Sequence, residues 1–354
     1  MRAELTFKGG LFSGVRDALA APQLDEAISP WFEHAVDETL RDEMTSAFDH
    51  GSRDAELDLQ RAAYLIICSR LAVPWQPPAS NAHHPLFTRI LYRFECGWRK
   101  HAIKRHRDVL SKLPSIDEFP DWMVRVVQSH ASNVGHPLFS FLKHKAAYAQ
   151  LREFLYQETP FDILFGDILA LMLPGIYDAP KRELLSNFWD EMGRGNLALM
   201  HRNLRLDMMA SLDMLPDSHI AELENFCVQE LALANHYLLT AVHRNRLAEL
   251  IGALLATETM VPGRLQCQID GWRRVGLADE SMTYLLEHTV VDIGHADGWM
   301  NGVVKPVLAA TPQVLPDIVL GVLRRLELAG DICDVMHSSF SAGEVEERAA
   351  LALN

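Results

Sequence analysis

Cysteine is scarce in this chain. Cys68, Cys96, Cys227, Cys267 and Cys333 lie scattered among 354 residues with no C-x-x-C pair, which excludes a zinc ribbon or a disulfide framework and fits reduced thiols in the cytoplasm. Long apolar runs are also missing. Ile168 to Leu173 stops at Pro174, far short of a bilayer span, and the first 21 residues hold no continuous apolar stretch, so neither a membrane segment nor a secretory signal is expected. Positive charge is in deficit, with a formal net charge of −14 and one mixed basic stretch, Arg99 to Arg107. Nucleic acid needs a basic face and is therefore not expected as a partner. Alternating β-branched runs are nearly absent too, which removes most strand signals.

What remains is helical periodicity. Asp25 to Phe48, Arg53 to Leu71, Phe87 to Leu110 and Leu238 to Ala256 are rich in Ala, Leu, Glu and Arg, with apolar residues recurring at three and four. Prolines mark breaks at 74–78, 114, 120, 174, 216, 262 and 306–316. The expectation is an all-α protein. Residues 1–130 carry no chemical motif and read as an N-terminal helical extension, while residues 131–354 carry every candidate site. One tetrapeptide, H-P-L-F, occurs at His84 and His136, each time as a turn entering a helix with Pro in its first turn.

The most informative stretch is E-H-T-V-V-D-I-G-H-A-D-G-W, residues 287–299. On a helix His288, Asp292 and His295 fall within one arc of roughly 60°. The outer two are about 10 Å apart along the axis, more than one ion needs but suited to two ions about 3.5–4 Å apart. An accidental polar face would look the same, so partners are required. Glu191 and His201 flank a Gly193-x-Gly195 segment. A straight helix would hold them about 15 Å apart, so both serve one centre only if that segment unwinds. Glu158 lies beside Pro160 in apolar surroundings, where a carboxylate needs a cation or hydrogen bonds. Asp162, four residues on, is an alternative or a support. Glu258 follows the apolar run Leu247 to Leu255. Tyr156, Phe161, Trp189, Met192, Tyr284 and Trp299 stand near these residues in sequence and read as core packing. No Glu-x-x-His occurs, so the ligand pattern of ferritin-like diiron bundles is excluded. Asp334-x-x-His337, beside a Ser-rich stretch, reads as a decoy.

These motifs resemble those of the haem-oxygenase-like diiron oxidases and oxygenases, also called iron-containing redox enzymes. The resemblance runs from about residue 136 to 310. It rests on the His136 entry, F-L-x-x-E ending at Glu158, W-D-E-x-G-x-G with His201, A-T-E at Glu258 and the H-x-x-x-D-x-x-H triad. It implies a haem-oxygenase-like helical bundle whose ligands are Glu158, Glu191, His201, Glu258, His288, Asp292 and His295. Ala198 stands where some members carry a further Glu. It also implies two ferrous ions, with manganese suited to the same hard donors, and O2 as co-substrate. Characterised relatives oxidise amines to hydroxylamine or nitro groups, or cleave C–C bonds of fatty or amino acids. A small-molecule substrate and, at most, a second copy of the chain are the partners expected. The competing readings are a metal-independent enzyme of the same fold, either an oxidase of the PQQ-synthesis type or a thiaminase-like hydrolase, and a non-catalytic helical interaction protein. The metal-independent enzyme would depend on a catalytic Cys or on a substrate-binding pocket; of the cysteines, Cys227 and Cys267 precede the triad in the core region, and neither lies in an activating motif.

Overall fold

Ser52, His84 and His136 each begin a helix for a local reason. The Ser52 hydroxyl accepts the Ala55 N–H at 3.4 Å, and Asp54 and Glu56 occupy the first turn, where acids meet unpaired backbone N–H groups. The imidazole Nδ1 of His84 accepts from the Leu86 N–H at 3.1 Å, and that of His136 accepts from the Leu138 N–H at the same 3.1 Å. A proline follows each at the first helical position. Each ring then reaches an acid through Nε2, Asp25 at 3.0 Å and Asp334 at 3.1 Å. The repeated H-P-L-F is a histidine cap, and it does mark a turn entering a helix.

The computed structural model describes residues 9–28, 30–72, 81–214 and 223–343, with only the backbone of residues 27, 30, 31 and 290–293. Among them there is no strand, and the fold is all-α, as the sequence predicts. No single helix among the described residues is long and apolar enough to cross a membrane. The chain forms two compact units, one from residues 1–107 and 220–239, the other from residues 108–219 and 240–354.

In the first unit, helices Leu11–Ala20, Pro30–Phe48, Arg53–Leu71 and Pro85–Arg105 pack on one another around Val15, Leu40, Tyr64, Phe87 and Phe94. The basic stretch has a local explanation, because Lys104 and Arg105 lie in the last turn of a helix, beside its carbonyl end. The periodic segment from Phe87 to Leu110 is interrupted at His106, and Arg107–Leu110 forms a separate turn of helix.

Two carboxylates meet the start of Leu11–Ala20. Glu43 Oε1 accepts the Leu11 N–H at 2.8 Å and Asp58 Oδ2 accepts the Phe12 N–H at 2.9 Å. Burial, and then the adjacent Asp58 charge, push the Glu43 carboxyl up from 4.5 to about 8. The folded state thus favours the protonated acid. That stabilisation is complete below pH 4.5 and is lost as pH rises through about 8. Denaturant titrations from pH 5 to 9 should show wild-type stability falling more steeply than that of Glu43→Gln, by up to about 1.4 kcal/mol per pH unit. Equal slopes would remove Glu43 as the cause.

The second unit is built on the Leu247–Arg274 helix, which packs against Leu315–Ala342, Thr283–Gly298, Pro137–His144 and Phe119–Ser129. Its contact with Leu315–Ala342 is backbone to backbone. A Cβ on Gly252 would lie 2.0 Å from Ile318 O, and one on Gly321 would lie 1.9 Å from Glu249 O. Glycine at both positions is what lets the two long helices touch.

Two sequence expectations are corrected here. Pro262 does not break a helix, because Leu247–Arg274 runs through it. Buried packing along this helix outweighs the proline, whose missing N–H leaves the Glu258 carbonyl without its helical donor. Conversely, Leu238 to Ala256 is not one helix. Val228–Val242 ends, Arg244–Arg246 forms a 3₁₀ turn, and the next helix starts at Leu247. The Arg244 guanidinium fastens this turn by donating to the carbonyls of Leu171, Met172 and Pro174. Those long-range bonds have no periodic signature.

Candidate metal centre

The segment between Glu191 and His201 unwinds. Helix Asp178–Glu191 ends, and Gly193, Arg194 and Gly195 follow at φ of 63°, 54° and 85°. A Cβ on Gly193 would come within 2.5 Å of the Leu199 backbone, so glycine is required there for space as well as dihedral. Asn196 then accepts the Ala198 N–H at 3.1 Å, and a new helix begins at His201. The fold-back brings Glu191 Oε2 to 2.8 Å from His201 Nδ1, where a straight helix would have kept the residues far apart.

His288 joins them from Thr283–Gly298. Its Nδ1 donates to the Tyr284 carbonyl at 2.8 Å, which leaves Nε2 to act as a donor atom for a metal. Its ring centre lies 4.4 Å from that of His201. Glu191, His201 and His288 each offer a ligand atom, and these atoms all lie within 4.8 Å of one another. His201 Nδ1 is buried and, despite its closeness to Glu191, makes no hydrogen bond among the described residues. A buried nitrogen and a buried carboxylate oxygen held side by side, with no hydrogen bond to that nitrogen, suit a cation between them. The donor set of carboxylate and two imidazoles fits iron or manganese.

A second group shares two of these helices and adds Glu258 from Leu247–Arg274. His295 Nδ1 is 3.5 Å from Glu258 Oε2, and His295 Nε2 is 3.1 Å from Asp190 Oδ2. Glu191, His201 and Glu258 are all buried. Asp292 belongs to Thr283–Gly298 between His288 and His295, but its side chain lies outside the described residues.

The Glu158 Oε1 accepts from Gln268 Nε2 at 3.2 Å, and burial followed by repulsion from Asp162 pushes its carboxyl up to about 7. Asp162 lies beside the centre. It pairs with Arg205 Nη1 at 3.1 Å, accepts a hydrogen bond from Tyr284, and feels the charges of His288 and Glu191. Burial and Asp162 push the Tyr284 phenol well above its ordinary value, so it remains a donor. The Arg205 guanidinium is fully buried over the Tyr284 ring, 5.3 Å from its centre. Arg205 carries no motif in the sequence, and Tyr284, expected only as core packing, is also a hydrogen-bond donor at the centre. The available signal was spacing, since each lies one turn from a candidate histidine, His201 and His288.

Trp299 and Tyr284 are buried as expected, but Trp189 is 56% exposed. It is not core; its ring covers Gly195, where a Cβ would lie 2.9 Å from it. Asp334 and His337 serve the His136 cap: Asp334 accepts from it, and the His337 ring sits edge-on to His136 and Phe141. Cys267 is not activated, because burial raises its thiol.

The model of the iron-containing redox enzyme family matches residues 152–330, a span that holds both histidine–carboxylate groups. No curated protein matches the chain.

Proposed function

The chain belongs to the iron-containing redox enzyme family, and from that premise we propose that this oxidoreductase holds two ferrous ions and uses O2 to oxidise a small molecule. Glu191, His201 and His288 would hold one ion, through Nδ1 of His201 and Nε2 of His288. Glu258 and His295 would hold the other, Asp292 is the further ligand that the resemblance implies, and manganese would meet the same donors. The carrying observation is the convergence of Glu191, His201 and His288 within 4.8 Å, with His201 Nδ1 left without a hydrogen bond. Bound ferrous iron supplies electrons to dioxygen.

The chain's own residues do the rest. The Tyr284 carbonyl fixes the His288 tautomer. Arg205 and the Tyr284 hydroxyl hold Asp162 beside the centre, and burial of Glu191, His201 and Glu258 keeps water from them. Glu158, buried and held by Gln268 beside Asp162, would be the seventh ligand that the resemblance implies. Amine N-oxygenation and oxidative C–C cleavage are the two reactions proposed, and product analysis distinguishes them.

Anaerobic loading with ferrous salt should give two irons per chain, followed by substrate-stimulated O2 uptake. Asp334→Asn and His337→Ala should change neither. A chain that stays metal-free would overturn the proposal, and altered iron content in either control would show that the wrong acids and histidines were chosen.

A further inference from the structure

Resting on the two-ion reading, we infer that Asp190 is a positioning residue for His295, the outer carboxylate that fixes which ring nitrogen faces the second ion. Asp190 and Glu191 are consecutive on one helix, so their side chains diverge by about 100°. Glu191 turns to His201, and Asp190 turns to His295. The His295 ring is thereby spanned, with Nε2 3.1 Å from Asp190 and Nδ1 3.5 Å from Glu258. The shorter distance is a hydrogen bond. The longer matches the spacing that two ligand atoms sharing an ion would have, about 3–3.5 Å when each is about 2.1 Å from the metal. Nδ1 is therefore the ligating atom, and Nε2 carries the proton donated to Asp190.

Asp190 is itself held. Arg194 Nη1 lies 3.5 Å from Asp190 Oδ1, and Nη2 lies 3.3 Å from Glu287 Oε2. Arg194 thus ties the unwound turn to the residue before His288 and leaves Oδ2 of Asp190 free to face His295. This gives a reason for Arg194's left-handed conformation at φ 54°, ψ 34°, an unfavourable state for a residue with a Cβ. A carboxylate behind a ligating histidine orients the ring and raises its basicity, and losing it typically weakens metal binding about 10–100-fold.

The test is anaerobic titration of the full chain with ferrous ion alone, read as two separate affinities, with thermal unfolding as the check on folding. Asp190→Ala should keep one ion at wild-type affinity and weaken the other about 10–100-fold. Asp190→Asn keeps the shape but loses the charge and should fall between them, and Asp190→Glu should recover part of the loss. Two wild-type affinities in Asp190→Ala, or equal weakening of both, would overturn the assignment while leaving the two-ion reading standing. A wild-type chain that binds no iron would overturn both.

Discussion

His288→Ala is expected to leave a folded protein that retains at most one iron and turns over at background, a loss of at least about a thousandfold, or about 4 kcal/mol of activation free energy. The substitution removes one of three groups whose ligand atoms lie within 4.8 Å. The Glu191–His201 pair that remains supplies two donors, too few to compete with water for a ferrous ion. The histidine's other bond, from Nδ1 to the Tyr284 carbonyl, is a local turn of helix and not a tertiary tie, so folding should survive. Metal analysis and O2 uptake on the purified variant decide the matter. Two tightly bound irons, or full activity with half the metal, would remove His288 from the centre.

Gly321→Ala should be the most disruptive single methyl in the second unit. Its Cβ would lie 1.9 Å from Glu249 O and 2.8 Å from Glu249 C, and neither atom can swing aside as a side chain would. The two long helices must separate along their contact. Overpacking costs about 1–3 kcal/mol where neighbours yield and more where they cannot; a loss of about 3 kcal/mol or more is expected here. Gly252, on the other side of this contact, is under seven residues from Glu258, so iron affinity should fall with stability. Gly294→Ala is the converse case. Among the described residues nothing lies within 4 Å of the added Cβ, and alanine should strengthen the helix by up to about 1 kcal/mol. Denaturant unfolding of both variants checks the pair. A neutral Gly321→Ala would mean that the helices do not touch as described.

Much of the centre was legible along the chain because its key spacings are local. A helix repeats every 3.6 residues, so His288 and His295 share a face whatever surrounds them. The Gly193–Gly195 kink follows from one conflict between a helical pattern and the distance Glu191 and His201 would have to close. The histidine caps at His84 and His136 are equally local. Asp162 was harder. Spacing offered it as a substitute or a support for Glu158, and only the tertiary contacts show it paired with Arg205 and Tyr284 and exposed to the charges of His288 and Glu191.

The all-α class, the capped helix starts at Ser52, His84 and His136 and the shared face of His288 and His295 were set by the sequence alone, since each depends on backbone geometry over a few residues. Tertiary structure decided which acid meets which histidine, why Pro262 could stay inside a helix, and where two glycines allow helices to touch. Those outcomes depend on segments tens of residues apart brought together by burial, and no spacing along the chain encodes them.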